Sequence, residues 1–270
     1  MLASAFLHAS WNAWVKSRPD PAGALISVVI GAAWPSLLLL AFAGLPAQAS
    51  WVWIALTVAI SIPAQVLLGS AYREGDFAVA YPILRGLNPL AVALAAVPVF
   101  GERLSPGNAA GVLCVSAGIA LIGWEAARRS RTMTLRGLGF AALAAAISAA
   151  AALCDTKGAR VAADPFAYAP LIASGNAAAM ALFQARRESL PALLARHWQV
   201  ALFGPVLSTA SYLIAIWALL HAPVAQVVSL RETSMLFAVA IGALLLRERV
   251  GPWRWAAVAL VFCGVLLLRS

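Results

Sequence analysis

Ionisable and polar side chains stand inside long apolar runs at a few places in this chain, and they are where chemistry has to be sought. Tyr81, Arg85 and Asn88 recur at i, i+4 and i+7, which puts them on one face of a helix. Arg231 and Glu232 sit together in a second apolar run, with Gln226 and Ser234 nearby. Near the start, His8 and Asn12 share a helical face beside Trp11, and Ser211 and Tyr212 fall within a later run. A guanidinium in such a setting binds a carboxylate or helix carbonyls, since an intramembrane charge is retained only against a partner or a watery cavity. Glu232 is then either an arginine's ion partner or a proton carrier. Arg85 and Arg231 could hold two halves of a protein together, or they could face a solute. With two arginines against one glutamate, a shared cavity would be positive, which suits an anion better than a cation.

Other chemistries lack their residues. His8, His197 and His221 are scattered, the serines have no base at a useful spacing, and there is no HExxH or phosphate-binding glycine loop. Cys114, Cys154 and Cys263 lie singly in apolar runs, as small buried residues do, so neither a metal site nor a disulfide framework is indicated. No enzyme activity, cofactor or metal is expected.

The elements that must position these residues repeat. Leu84 to Arg103 (LRGLNPLAVALAAVPVFGER) overlays Leu230 to Arg249 (LRETSMLFAVAIGALLLRER) at a shift of 146 residues, matching Arg85 with Arg231 and Glu102-Arg103 with Glu248-Arg249. The register continues through Pro106 and Pro252, Ala110 and Ala256, Val112 and Val258, Val115 and Val261, and Gly118 and Gly264. Self-similarity of this length fixes architecture before any residue is given a role. The chain is 63% hydrophobic and 11% charged over 270 residues, so the repeated unit belongs to an integral membrane protein.

Apolar runs bounded by charge, Pro or Gly predict an all-α membrane protein of ten transmembrane helices. They run roughly 2 to 16, 22 to 43, 51 to 71, 77 to 100, 107 to 124, 137 to 154, 166 to 184, 199 to 220, 223 to 246 and 253 to 268. Five fall in each half: a first repeat over 1–127, a linker over 128–136 and a second repeat over 137–270. An odd number per repeat makes the second enter the bilayer from the opposite side, giving two inverted five-helix repeats and the symmetry of alternating access. The opening run has no basic n-region or cleavage site, so it is expected to be retained, although at about 14 apolar residues it is short for a span.

The net charge of +9 is carried by single basic residues between apolar runs, a pattern that orients a membrane protein and does not point to nucleic acid. Thirteen Lys and Arg fall on the side of connections one-two to nine-ten and four on the other, which places both termini outside the cytoplasm. Asp155 and Lys157 are read as a solvated pair at a helix end. The Glu102-Arg103 and Glu248-Arg249 turns, each followed by proline, are read as structural hairpins, and most of the tryptophans as interfacial anchors.

Arginine, a membrane-length run, Gly-Glu-Arg-Leu-Ser-Pro and a further helix resemble the EamA unit of the drug/metabolite transporter superfamily, and the unit recurs in order with Arg247 in place of the glycine before Glu248. His8-Ala9-Ser10-Trp11-Asn12 and Leu230-Arg231-Glu232-Thr233-Ser234 resemble a bacterial branch of it. The resemblance implies a central cavity lined mainly by the first, third, fourth, sixth, eighth and ninth helices. It implies substrate contacts from His8, Trp11, Asn12, Tyr81, Arg85, Asn88, Tyr212, Arg231 and Glu232. It also implies a multi-pass inner-membrane protein, monomer or homodimer, that exports a small amino acid-like or organic-acid metabolite, with proton coupling through Glu232 as a separate expectation. Many relatives have cytoplasmic termini, against the charge count. A multidrug exporter of the same fold, or a scaffold or sensor that does not transport, are the alternatives.

Overall fold

The computed structural model describes residues 1–74, 77–130, 134–162, 164–244 and 251–268. Glu248-Arg249 and the basic residues Arg131, Arg247 and Arg269 lie outside the described residues. Among the described residues there is no strand. In chain order the helices are α1 (Leu2–Lys16), α2 (Pro21–Gly31), α3 (Ala33–Ala43), α4 (Trp51–Arg73), α5 (Phe77–Phe100), α6 (Pro106–Ser130) and α7 (Leu135–Ala162). They continue with α8 (Pro165–Ala185), α9 (Leu190–Arg196), α10 (Trp198–His221), α11 (Val224–Arg231), α12 (Ser234–Leu244) and α13 (Pro252–Leu267), and a 3₁₀ turn at Gln48–Ser50 precedes α4.

Seven helical segments among the described residues are long and apolar enough to cross a bilayer: Pro21–Ala43, Val79–Phe100, Pro106–Arg128, Leu135–Ala162, Pro165–Ala185, Trp198–His221 and Val224–Ile241. Gln48–Ala64 and Pro252–Leu267 are shorter apolar helices.

Punctuation in the sequence sets most of the ends. Asp20 caps α2 by accepting the Gly23 N–H at 3.0 Å, and Asp164 accepts the Phe166 N–H at 2.8 Å at the start of α8. Pro21 and Pro165 follow at the first helical position, where no N–H is needed. Gly44 (φ 77°) and Gly101 (φ 68°) end α3 and α5 in the left-handed region that side chains avoid.

Four predicted helices differ in the structure; one, 107 to 124, continues to Ser130 inside the predicted linker. The run 22 to 43 breaks at Ala32 into α2 and α3, because Pro35 has no N–H to give the Gly31 carbonyl. The run from 223 breaks after Arg231 into α11 and α12. The run 137 to 154 continues to Ala162, since nothing interrupts it before Asp164-Pro165.

The helices form two compact units, each drawing on both halves of the sequence. One comprises Met1–Ala59 and Cys154–His221. In it α1 packs on α10, α2 on α8 and α10, and α3 on α8. Its apolar centre is Trp11, Val15, Ala24, Val28 and Val200. Ser4 and Ser211, both fully buried, clasp α1 to α10: each hydroxyl donates to the other's carbonyl, at 2.7 and 2.8 Å. With lipid outside the bundle, such polar clasps and close packing replace the hydrophobic drive between helices.

The other unit comprises Ile60–Leu153 and Ala222–Ser270, built on α5 against α6 and α11, and α6 against α13. The α6–α13 crossing is antiparallel and reciprocal. A Cβ on Gly118 would stand 2.7 Å from Val261 Cγ2 and 2.9 Å from the Ala257 carbonyl oxygen. A Cβ on Gly264 would stand 2.8 Å from both Val115 Cγ2 and the Gly111 carbonyl oxygen. Shifted by 146 residues, either set of contacts becomes the other. Val112, Val115, Ile119, Val261 and Leu268 form the buried cluster around the crossing.

Candidate functional site

In the second unit, α5 presents Tyr81 and Arg85 one turn apart, as their spacing requires. The Arg85 guanidinium donates from Nε and Nη2 to the Tyr81 hydroxyl oxygen at 2.9 and 2.8 Å. From Nη1 it donates to Glu232 Oε1 at 3.0 Å. Arg85 keeps 15% of its side chain exposed and Glu232 only 1%, so this is a nearly dry ion pair. The second carboxylate oxygen, Oε2, is buried and has no hydrogen-bond partner among the described residues.

Glu232 reaches Arg85 because the backbone turns there. The Thr233 hydroxyl donates to the Leu230 carbonyl at 2.7 Å, and the Thr233, Met235 and Leu236 amides bond three residues back instead of four. That tightened turn ends α11 at Arg231 and starts α12 at Ser234. In the equivalent stretch of α5, Pro89 has no N–H to give the Arg85 carbonyl, so both arginine-bearing segments are weakened at corresponding positions. Glu102, from the turn after α5, accepts the Val224 N–H at 2.9 Å and so caps α11. Gln226 donates to the Leu268 carbonyl and ties α11 to the end of α13.

Asn88 stands on the next turn of α5, its Oδ1 buried without a hydrogen-bond partner among the described residues. Arg231 is half-buried as the last residue of α11, where a cation meets the carbonyl end of the helix. Tyr81, Arg85 and Glu232 are thus joined in one hydrogen-bonded cluster, with Asn88 a turn away and Arg231 next to it in the chain. The residue 146 positions before Glu232 is Gly86, which is buried and would bring a Cβ to 3.2 Å from the Ser116 carbonyl oxygen.

The remaining predicted residues belong to the first unit. Trp11 lies in its apolar centre, with Nε1 buried and unpartnered among the described residues. His8 meets the Trp11 ring edge-on, with centroids 5.2 Å apart. Asn12 donates its side-chain amide to the His8 carbonyl at 2.7 Å, within its own helix. Tyr212 on α10 donates its hydroxyl to Asp155 Oδ2 at 2.8 Å.

Asp155 departs from expectation. It is not one half of a solvated pair with Lys157 at a helix end; it sits within α7, partly buried, and receives the Tyr212 hydroxyl. Residues two apart on a helix face different directions, which is why Lys157 is exposed while Asp155 turns inward. The sequence did hold the cue, since the Asp164-Pro165 helix start allows α7 to run past position 155.

A guanidinium fork held on two donors by a phenol, with a third on a carboxylate, is an arrangement that binds carboxylates. The EamA-like transporter family model matches residues 135–270, just over half the chain. The chain belongs to the EamA-like transporter family. A comparison with curated proteins gives no match. Among solved structures 29 chains match. One, described as the crystal structure of a protein, is similar over 98% of this chain and 93% of its own, at a TM-score of 0.78 and 20% identity. At that identity the likeness is one of fold. The EamA-like family and the apolar helices together make this a multi-pass membrane protein of a transporter family, which fits a chain without catalytic constellations.

Proposed function

We propose that the protein is a secondary transporter that exports a small amino acid-like or organic-acid metabolite across the inner membrane by alternating access. The observation that carries the reading is the Arg85 guanidinium, anchored by Tyr81 and paired with the Glu232 carboxylate. A substrate carboxylate takes the place of Glu232 on Nη1. Glu232, displaced from its cation, is the carboxylate on which a coupling proton would ride, and substrate binding and proton uptake are linked there.

Ten spans follow when α2 and α3 are taken as one crossing, α11 and α12 as another, and α9 as a connection. The reciprocal, antiparallel α6–α13 crossing supports the inverted repeat. Equivalent helices that meet antiparallel, residue for residue, are related by a two-fold axis perpendicular to their length, hence in the membrane plane. Interrupted helices at the arginines are the type of element that holds solutes in transporters built from such repeats.

The test is counterflow of labelled amino and organic acids in proteoliposomes, with wild type and Arg85→Ala side by side. Wild type should exchange at least one of these acids and the variant none. Uptake of quaternary ammonium dyes without any acid, or an unaffected variant, overturns the reading. Equal rates with and without a pH gradient would remove the proton from it.

A further inference from the structure

We propose that the groove between α5, α6 and α7 binds an anionic phospholipid, with one acyl chain in the groove and the phosphate on Arg128 and Arg136. The groove encloses about 360 Å³, within the range of small-molecule sites. Val79 and Ile83 of α5, Ala120, Gly123 and Trp124 of α6, and Leu138 of α7 line it. Its floor is low because Ala120, Gly123 and Ala127 recur on one face of α6, leaving a trough where larger side chains would fill the space.

The mouth is basic. Arg128 stacks its guanidinium 4.8 Å over the Trp124 ring, and Arg136 is exposed in the first turn of α7. Two acids among the described residues stand at this end, and each has a partner. Glu125 is buried and pairs with Arg254 at 3.6 Å, and Glu74 accepts the Thr134 hydroxyl at 3.1 Å. The 128–136 connection is the most basic in the chain, with four arginines, and the charge count places it on the cytoplasmic side, where anionic lipid attracts such segments. An apolar trough with cations at its mouth complements a lipid that has both an acyl chain and a negative head. Val79 and Ile83 lie on the side of α5 away from Tyr81 and Arg85, two residues on, so the lipid does not share the solute's contacts.

The test uses delipidated full-length protein in detergent, with lipid adducts titrated by native mass spectrometry. The probes are phosphatidylglycerol and phosphatidylcholine of matched acyl chains. Wild type should prefer phosphatidylglycerol, by about fivefold for each arginine. Arg128→Gln/Arg136→Gln should abolish the preference without changing phosphatidylcholine binding. Ala120→Leu, which fills the trough, should lose both adducts with both arginines present, and Ala127→Leu repeats the test should the first variant fail to give a monodisperse protein. Equal affinity of wild type for the two lipids, a preference that survives the double arginine variant, or full phosphatidylglycerol binding with the trough filled would each overturn the proposal.

Discussion

Replacing Glu232 by glutamine removes the charge that Arg85 meets at 3.0 Å while keeping the shape of the side chain. At that separation, with an effective dielectric near 20, the Coulomb attraction is about 5 kcal/mol. Removing one member of a buried pair is expected to cost about 3 to 5 kcal/mol, because the other charge is stranded. Two features reduce the figure for Glu232→Gln: Arg85 retains both bonds to Tyr81, and an amide oxygen can still accept from Nη1. We expect about 2 kcal/mol for Glu232→Gln and about 4 kcal/mol for Arg85→Met, which leaves a carboxylate 1% exposed. The double variant should cost about 2 kcal/mol less than the sum, as coupled neighbours do. The assay is unfolding in mixed detergent–dodecyl sulfate micelles followed by tryptophan fluorescence, with all four proteins in one series. Additivity within about 0.5 kcal/mol would refute the coupling and with it the exchangeable-carboxylate site.

Gly118→Ala and Gly264→Ala should destabilise alike, by about 1 to 3 kcal/mol each, since either Cβ runs into backbone of the facing helix. A neutral result for one and not the other, in the same unfolding assay, would contradict the reciprocity of the crossing. At Gly158 a Cβ would strike the Tyr168 hydroxyl and lie 2.6 Å from Trp53 Cβ, so Gly158→Ala should cost about 1 to 3 kcal/mol, part of which Tyr168→Phe returns. Persistence of the full cost in the double variant would place the clash elsewhere. Asp20 is held below its ordinary 3.8, chiefly by the Gly23 N–H and further by His197. Its stabilisation is therefore complete above that value and lost as pH falls through the lowered one. Asp20→Ala should cost about 1 kcal/mol at neutral pH, the usual worth of a cap, and progressively less in acid. A cost that does not change with pH would mean that the cap does not titrate.

The periodicity of the chain disclosed its helical class and the correspondence of Arg85 with Arg231, because both are properties of spacing along one segment. Which side chains meet was less legible. Glu232 adjoins Arg231 in sequence yet pairs with Arg85, 147 positions away, because the backbone turns between α11 and α12. No Pro or Gly marks that turn; it rests on a threonine side chain bonding back to Leu230, a weak cue in an apolar run. The break at Ala32 was legible through Pro35, and the inward Asp155 through Asp164-Pro165, once helix ends are judged by caps instead of by the first charge met. Trp11, flanked by polar neighbours, reads as a wall of a cavity, whereas it packs among Val15, Val28 and Val200. A tryptophan at such a position serves either purpose, and only its tertiary neighbours distinguish them.

A patch that makes reciprocal contacts with its partner does not need a covalent tether to find it. Gly118 and Gly264 give α6 and α13 that property, so the chain segment over 128–136 keeps the halves at high local concentration more than it specifies how they dock. Cut there and made as two polypeptides in one membrane, the halves should recombine through this seam, and an excess of either would be drawn to pair with itself.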